Sequence, residues 1–127
     1  MIDKQYKHSE LTSKIIGCAI EVHKCLGSGF QEVIYQRALE YEFTLQEIKY
    51  AREVDMPIFY KDKHLGTRRV DFLIDGKILL ETKAVVKLEN IHLAQAKNYL
   101  EVYKIEVGLL LNFGSMNLEI KRLINSV

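Results

Sequence analysis

The sequence predicts an α/β fold in which a mixed β-sheet is flanked by helices, with the element order ααβββαβ(β). Apolar residues recur at helical spacing through the first part of the chain. Two apolar strands then meet at Asp75-Gly76, a dipeptide suited to a tight hairpin turn. A third helical pattern lies between the second of these strands and the apolar run Glu106–Phe113. This order indicates a βαβ crossover between parallel strands.

Two helices are predicted to open the chain. The first has Ser9 as a favoured N-cap residue and ends at Gly27. The second begins at Ser28, whose distance from Gln31 is that of a capping box, and continues to about Glu47. Both helices carry an apolar face that can pack against a sheet.

An antiparallel meander of three strands should follow. The extended segment Tyr50–Tyr60 contains Pro57, which favours an edge strand or a bulge because proline cannot donate to a ladder. A polar turn at Lys61–His64 leads to the strand Arg68–Ile74, and Asp75-Gly76 joins that strand to the next.

The remaining elements complete the sheet. A helix is predicted over Glu89–Lys104, followed by the buried strand Glu106–Phe113, which should run parallel to the strand before the helix. The segment Leu118–Leu123 is predicted to be a last strand or a short helix.

Charged residues interrupt the two central apolar strands. Alternation places Asp71 on one face with Arg69 and Leu73, and Glu81 on one face with Lys83. A buried carboxylate is costly unless it is paired or bound to a metal. Two carboxylates on adjacent strands can hold Mg²⁺, and a lysine can orient or deprotonate a metal-bound water. The alternative is an internal salt bridge, in which Asp71 or Glu81 pairs with Lys83 or Arg69.

The same residues form a known signature. Asp71 followed by Glu81-Thr82-Lys83 resembles the Asp…(Asp/Glu)-x-Lys signature of the PD-(D/E)XK nuclease superfamily, although Val70 stands in place of its proline. This resemblance implies a restriction-endonuclease-like core. It also implies that Asp71 and Glu81 bind a metal ion and that Lys83 is catalytic.

A second motif is more specific. The segment Leu26–Tyr35 resembles the Gly-x-x-Glu-x-x-Tyr motif of the GxxExxY proteins, which are grouped in that superfamily, with Gly29, Glu32 and Tyr35 at the named positions. The resemblance extends from about Leu11 to Ile124, so we expect one nuclease-like domain over residues 1–127.

The resemblance implies further site residues. Glu32 is expected to supplement the metal ligands and to act in catalysis, although a glutamate in the first turn also complements a helix dipole. Gln95 and Tyr99 resemble a glutamine–tyrosine pair that lines the site of RecB-type members, but both could instead pack against the sheet. The candidate substrate-binding residues are Tyr35, Tyr99 and Arg69.

Composition limits the partners and the location. The 127 residues are 48% hydrophobic and carry a net charge of +1, so any basic nucleic-acid surface must be local. No apolar run is long enough to span a membrane, and the N-terminal residues lack the apolar core of a secretory signal. Cys18 and Cys25 lie too far apart on the first predicted helix for a disulfide. These features predict a cytoplasmic protein.

The expected function is therefore that of a metal-dependent phosphodiester hydrolase that acts on DNA or RNA with Mg²⁺ or Mn²⁺. The alternative is a non-catalytic module that uses a nuclease fold to bind nucleic acid or protein. A homodimer formed through the sheet edge near Pro57 is a further possibility.

Overall fold

The computed structural model describes residues 7–125. Most of the N-terminal segment, which the sequence predicts to lack a secretory signal, lies outside these residues. The elements are α1 (Ser9–Leu26), α2 (Glu32–Leu45), β1 (Tyr50–Tyr60), β2 (Lys63–Ile74), β3 (Ile78–Lys83), α3 (Asn90–Tyr103), β4 (Val107–Asn112) and β5 (Glu119–Ile124). The predicted element order is confirmed, and the last element is a strand.

The five strands form one mixed sheet in the order β1-β2-β3-β4-β5. Strands β3 and β4 are parallel, with Glu81 opposite Leu110, whereas the other neighbouring pairs are antiparallel. The crossover through α3 therefore joins parallel strands, as the sequence predicts. β1 is an edge strand and has a register irregularity after Ile58, next to Pro57.

The helices cover the two faces of the sheet. α1 and α2 pack on one face, against alternate residues of β3 and β4 that include Leu80, Leu109 and Leu111. α3 covers the other face, where Leu100 packs on Leu79. Strands β3 and β4 are consequently buried on both sides, which explains why they are almost continuously apolar.

The helix ends differ in part from the prediction. α1 ends at Gly27, whose φ of 74° suits glycine, but Ser9 is its first helical residue and His8 is the N-cap. α2 begins at Glu32, and its N-cap Gln31 makes no side-chain capping bond. The predicted Ser28–Gln31 capping box was wrong because helix α2 begins only after Gln31.

Strand alternation breaks at Asp71. Val70 packs with residues on the α3 face, whereas Phe72, two residues later, packs on the face of α1 and α2. The β1–β2 pairing skips the Glu53–Asp71 position, where Glu53 has a φ of 54°. The prediction that Arg69 and Leu73 share a face through a regular strand was therefore wrong. Beyond this break the β1–β2 hairpin extends past β3 toward α3, and we call residues 54–70 the hairpin arm.

Candidate active site

One small pocket collects most of the charged residues singled out in the sequence. It lies where the hairpin arm separates from β3, and its volume is about 110 Å³. Strands β2 and β3, the first turn of α2 and one side of α3 all contribute to it. It is lined by Glu32, Arg68, Arg69, Asp71, Glu81, Lys83, His92, Gln95, Ala96, Tyr99 and Leu110.

Asp71 is fixed where the β2–β3 ladder ends. The last ladder pair on this side is Phe72–Leu80, so the backbone of Thr82 has no partner on β2. The Asp71 carboxylate takes that place, because its Oδ2 accepts bonds from Thr82 N at 2.7 Å and Thr82 Oγ1 at 3.0 Å. These bonds orient the carboxylate and engage only one of its two oxygens.

Glu81 is the buried carboxyl of the site. Only 8% of its surface is exposed, and its Oε1 is buried without a hydrogen-bond partner. Its Oε2 accepts only a long bond from Asp71 N, at 3.4 Å. Burial and then the nearby Asp71 carboxylate raise the pKa of Glu81 to about 9. The Glu81 carboxyl therefore has no paired cation among the described residues and one unused oxygen, which fits a hard divalent cation.

Lys83 ends β3 and reaches the same pocket without neutralising either carboxylate. Among the described residues, no ion pair within 4.0 Å joins Asp71 or Glu81 to Lys83 or Arg69. Arg69 instead pairs with Asp55, with Nε–Oδ1 at 2.9 Å. The alternative of an internal salt bridge was thus wrong, because the arginine turns along the hairpin arm.

Glu32 approaches from the other helix layer. It is the first residue of α2, as dipole complementarity favours, and it is half-buried at the pocket. Burial and then the Asp71 carboxylate raise the pKa of Glu32, while Lys83 opposes this shift. Within residues 7–125, however, no three His, Cys, Asp or Glu side chains meet closely enough to hold one metal ion together. The two strand carboxylates form the pair, and Glu32 stands beside it.

A polar network that the sequence did not reveal supports these carboxylates. Gln36 is buried and donates to Thr82 Oγ1 at 2.9 Å, so it supports the threonine that holds Asp71. Arg52 donates to Gln36 Oε1 and to Glu40 Oε1, each at 2.6 Å. Arg52 of β1 thus extends this network to α2. The sequence signal for this network was the position of Gln36, one helical turn after Glu32.

α3 supplies the uncharged wall of the pocket. Gln95 and Tyr99 both line it, as the resemblance implies. His92 also lines it, and its Nδ1 accepts a bond from Glu89 N at the start of the helix. Arg68 of the hairpin arm donates to the Tyr99 hydroxyl and lies over its ring, 5.2 Å from the centroid. Arg68, which was not among the predicted site residues, therefore bridges the hairpin arm to α3.

Tyr35 does not reach the pocket. It is fully buried, stacks on Phe113 with ring centroids 4.8 Å apart, and donates to Gly27 O at 2.6 Å. Its hydroxyl also accepts from Phe30 N at 3.1 Å. Tyr35 thus fixes the loop between α1 and α2, and this loop sets the position at which Glu32 enters the site.

The end of β4 braces the segment that follows Lys83. Asn112 is fully buried and forms paired bonds with the backbone of Val85, each at 2.9 Å. Phe113 N donates to Lys83 O at 2.8 Å. Sequence reasoning missed this brace, although a polar Asn at the end of an apolar strand was a usable signal.

Gly114→Ala should destabilise the protein by about 3 kcal/mol, because the added methyl would meet backbone rather than a movable side chain. An ideal Cβ there lies 2.4 Å from Val85 N and Val85 O. Urea denaturation measures the effect. Gly29→Ala is the matched control, because nothing lies within 4 Å of its Cβ position. Equal stability of the two variants would contradict the proposed brace.

Comparison with protein families decides the classification. The family model described as the PD-(D/E)XK nuclease superfamily matches residues 9–123. The chain belongs to this superfamily. The restriction-endonuclease-like fold is therefore confirmed, and members of the superfamily generally use divalent metal ions.

Other comparisons add the fold alone. The crystal structure of SSO0001 is similar, with a TM-score of 0.60 and 20% sequence identity. The similarity covers 94% of this chain but 60% of SSO0001. Comparison with curated proteins gives no match.

None of the helices within residues 7–125 has the length and hydrophobicity that a membrane span requires. Cys18 and Cys25 are free, as predicted.

Proposed function

We propose that this PD-(D/E)XK protein, a member of the GxxExxY group, is a Mg²⁺- or Mn²⁺-dependent hydrolase of phosphodiester bonds in nucleic acid. The observation that carries the proposal is Glu81. Its buried Oε1 has no hydrogen-bond partner and lies in the same pocket as Asp71 and Lys83. A cation bound there would offset the repulsion between the Asp71 and Glu81 carboxylates. The narrower grouping rests on the Gly-x-x-Glu-x-x-Tyr residues, and it is supported by the bonds of the Tyr35 hydroxyl to Gly27 O and Phe30 N in the loop that precedes Glu32.

The chain's residues have separable roles. Asp71 and Glu81 would hold the ion, with the Asp71 orientation set by Thr82. A divalent ion at this place supplies polarisation of the phosphate and a lowered pKa for bound water. Lys83 would hold the attacking water in line and offset charge that develops on the phosphate oxygens. Glu32 and Gln95 both line the pocket. Glu32 would accept a hydrogen bond from that water, and Gln95 would donate one to the phosphate.

Cleavage assays test the proposal directly. Wild-type protein should cut labelled DNA or RNA in Mg²⁺ or Mn²⁺ and should stop when the ion is chelated. Asp71→Asn should lose about 10²-fold or more of the rate, because the carboxylate becomes a neutral amide. Asp75→Asn is the matched control, since Asp75 pairs with Lys77 at the β2–β3 turn and neither residue lines the pocket. Equal rates for the two variants, or cleavage that survives chelation, would remove the proposal.

The single-domain organisation over residues 1–127, the cytoplasmic location and the homodimer stay predictions. If the protein binds nucleic acid without cutting it under any of these conditions, the non-catalytic module is the better description.

A further inference from the structure

A second groove continues outward from the carboxylate pocket. It lies between the hairpin arm and α3 and has a volume of about 390 Å³. It shares Arg68, Gln95 and Tyr99 with the carboxylate pocket, so the two adjoin each other. The residues that line it are Ile58, Arg68, Gln95, Asn98, Tyr99, Glu101 and Val102.

The walls of this groove are held in place. Tyr103 donates to Met56 O at 3.1 Å, which ties α3 to the hairpin arm. Val54 and Met56 of the arm and Tyr99 and Tyr103 of α3 pack around the same buried cluster. The groove is therefore part of the folded structure and does not have to form when a ligand arrives.

The chemistry of the groove suits exposed bases. The planar Arg68 guanidinium, which lies over the Tyr99 ring, can stack on a base, and Ile58 and Val102 add apolar contact. The amides of Gln95 and Asn98 can pair with base edges or sugar hydroxyls. A duplex keeps its bases stacked on each other and would not present them to these side chains.

The charge of the groove also argues against a duplex. Duplex binding depends on contacts between many phosphates and basic side chains. Among the residues lining the groove, Arg68 is the one cation and Glu101 the one anion. The volume is that of a small-molecule site, enough for a nucleotide or two rather than a turn of helix.

Resting on the proposed function, we propose that this groove binds unpaired nucleotides next to the phosphate in the carboxylate pocket, and that the substrate is single-stranded nucleic acid. Arg68 would contact the backbone where the groove meets the pocket. Because few phosphates are contacted, the slope of log K against log salt should be only about −1 to −2.

Fluorescence anisotropy in a chelating buffer tests this binding without cleavage. The probes are a labelled DNA strand of mixed sequence, the RNA strand of the same sequence, and the duplex of the DNA strand with its complement. We expect at least one single strand to bind tenfold or more tighter than the duplex. Val102→Glu should weaken that binding about tenfold, because a carboxylate would enter the groove. Asn98→Asp, which adds a charge without changing side-chain size, should act in the same direction.

Ile20→Glu is the matched control, since Ile20 lies on α1 and is 51% exposed where Val102 is 45% exposed. It should bind like wild type. Tighter binding of the duplex, or equal binding by the groove variants and Ile20→Glu, would overturn the groove assignment. Cleavage of duplex in Mg²⁺ with no groove effect would leave the proposed hydrolase standing and remove only this inference. Single-strand binding that the groove variants weaken, with no cleavage in Mg²⁺, would support the groove assignment and remove the proposed hydrolase.

Discussion

Glu81→Gln should raise the free energy of unfolding at neutral pH while it abolishes cation binding. In the wild-type protein without a cation, the folded-state pKa of Glu81 is about 9, against an ordinary value of 4.5. At neutral pH the unfolded chain carries this carboxyl ionised, whereas the folded chain must hold a proton on it. This proton uptake lowers the free energy of unfolding by about 3 kcal/mol, a loss that a neutral amide of the same shape avoids.

Because the pKa of Glu81 is higher in the folded state than in the unfolded state, the stability gained in Glu81→Gln depends on pH. The unfolded state binds fewer protons than the folded state between the two pKa values, so the wild-type protein loses stability as pH rises through this window. The pH-dependent part of the difference between Glu81→Gln and wild type should vanish below about pH 4 and grow by about 1.4 kcal/mol per pH unit between about pH 5 and pH 9. Urea denaturation in chelating buffer measures it, with Glu101→Gln on exposed α3 surface as control. A difference that does not change with pH would contradict the buried, proton-binding Glu81.

Lys83→Ala should lower the cleavage rate by about 10²- to 10⁴-fold, the range found when a positioned proton-transfer or charge-stabilising group is removed. Lys83 lines the carboxylate pocket but forms no ion pair within 4.0 Å with Asp71 or Glu81. Its loss should therefore remove transition-state stabilisation without a large loss of cation affinity. Single-turnover cleavage with saturating Mn²⁺ measures the chemical step.

Lys87→Ala, in the exposed loop beyond β3, is the control for the loss of one positive charge. It should leave the rate within about threefold of wild type, since an exposed distant charge is screened. If the cleavage rate of Lys83→Ala is no lower than that of Lys87→Ala, Lys83 has no catalytic role. If Lys83→Ala also loses cation binding, the separation of its role from those of Asp71 and Glu81 is wrong.

The regular parts of the fold were predictable because local signals agreed with the tertiary arrangement. Tyr50–Tyr60 forms β1 with its predicted bounds, and Pro57 lies on an edge strand. Asp75-Gly76 forms the turn with positive φ at both residues. The apolar run after α3 forms a central strand parallel to β3. Periodicity and turn chemistry are sufficient for such elements.

The irregular parts carry the site and were not predictable from periodicity. A pattern of period two assigns Asp71 a face but does not reveal that the ladder skips Glu53–Asp71 and that the hairpin arm crosses to α3. This crossing brings Arg68, rather than Arg69, against Tyr99. The roles of Gln36 and Asn112 depend on partners more than twenty residues away in sequence, which spacing does not give.

Calorimetric titration with Mn²⁺ tests the central claim most directly, namely that Asp71 and Glu81 together bind a divalent cation. We expect binding by wild-type protein to release about one proton and to strengthen about tenfold per pH unit below about pH 9, because Glu81 must ionise first. We expect no binding by Glu81→Gln at this site. Binding by wild-type protein that is independent of pH and unchanged in Glu81→Gln would contradict this claim.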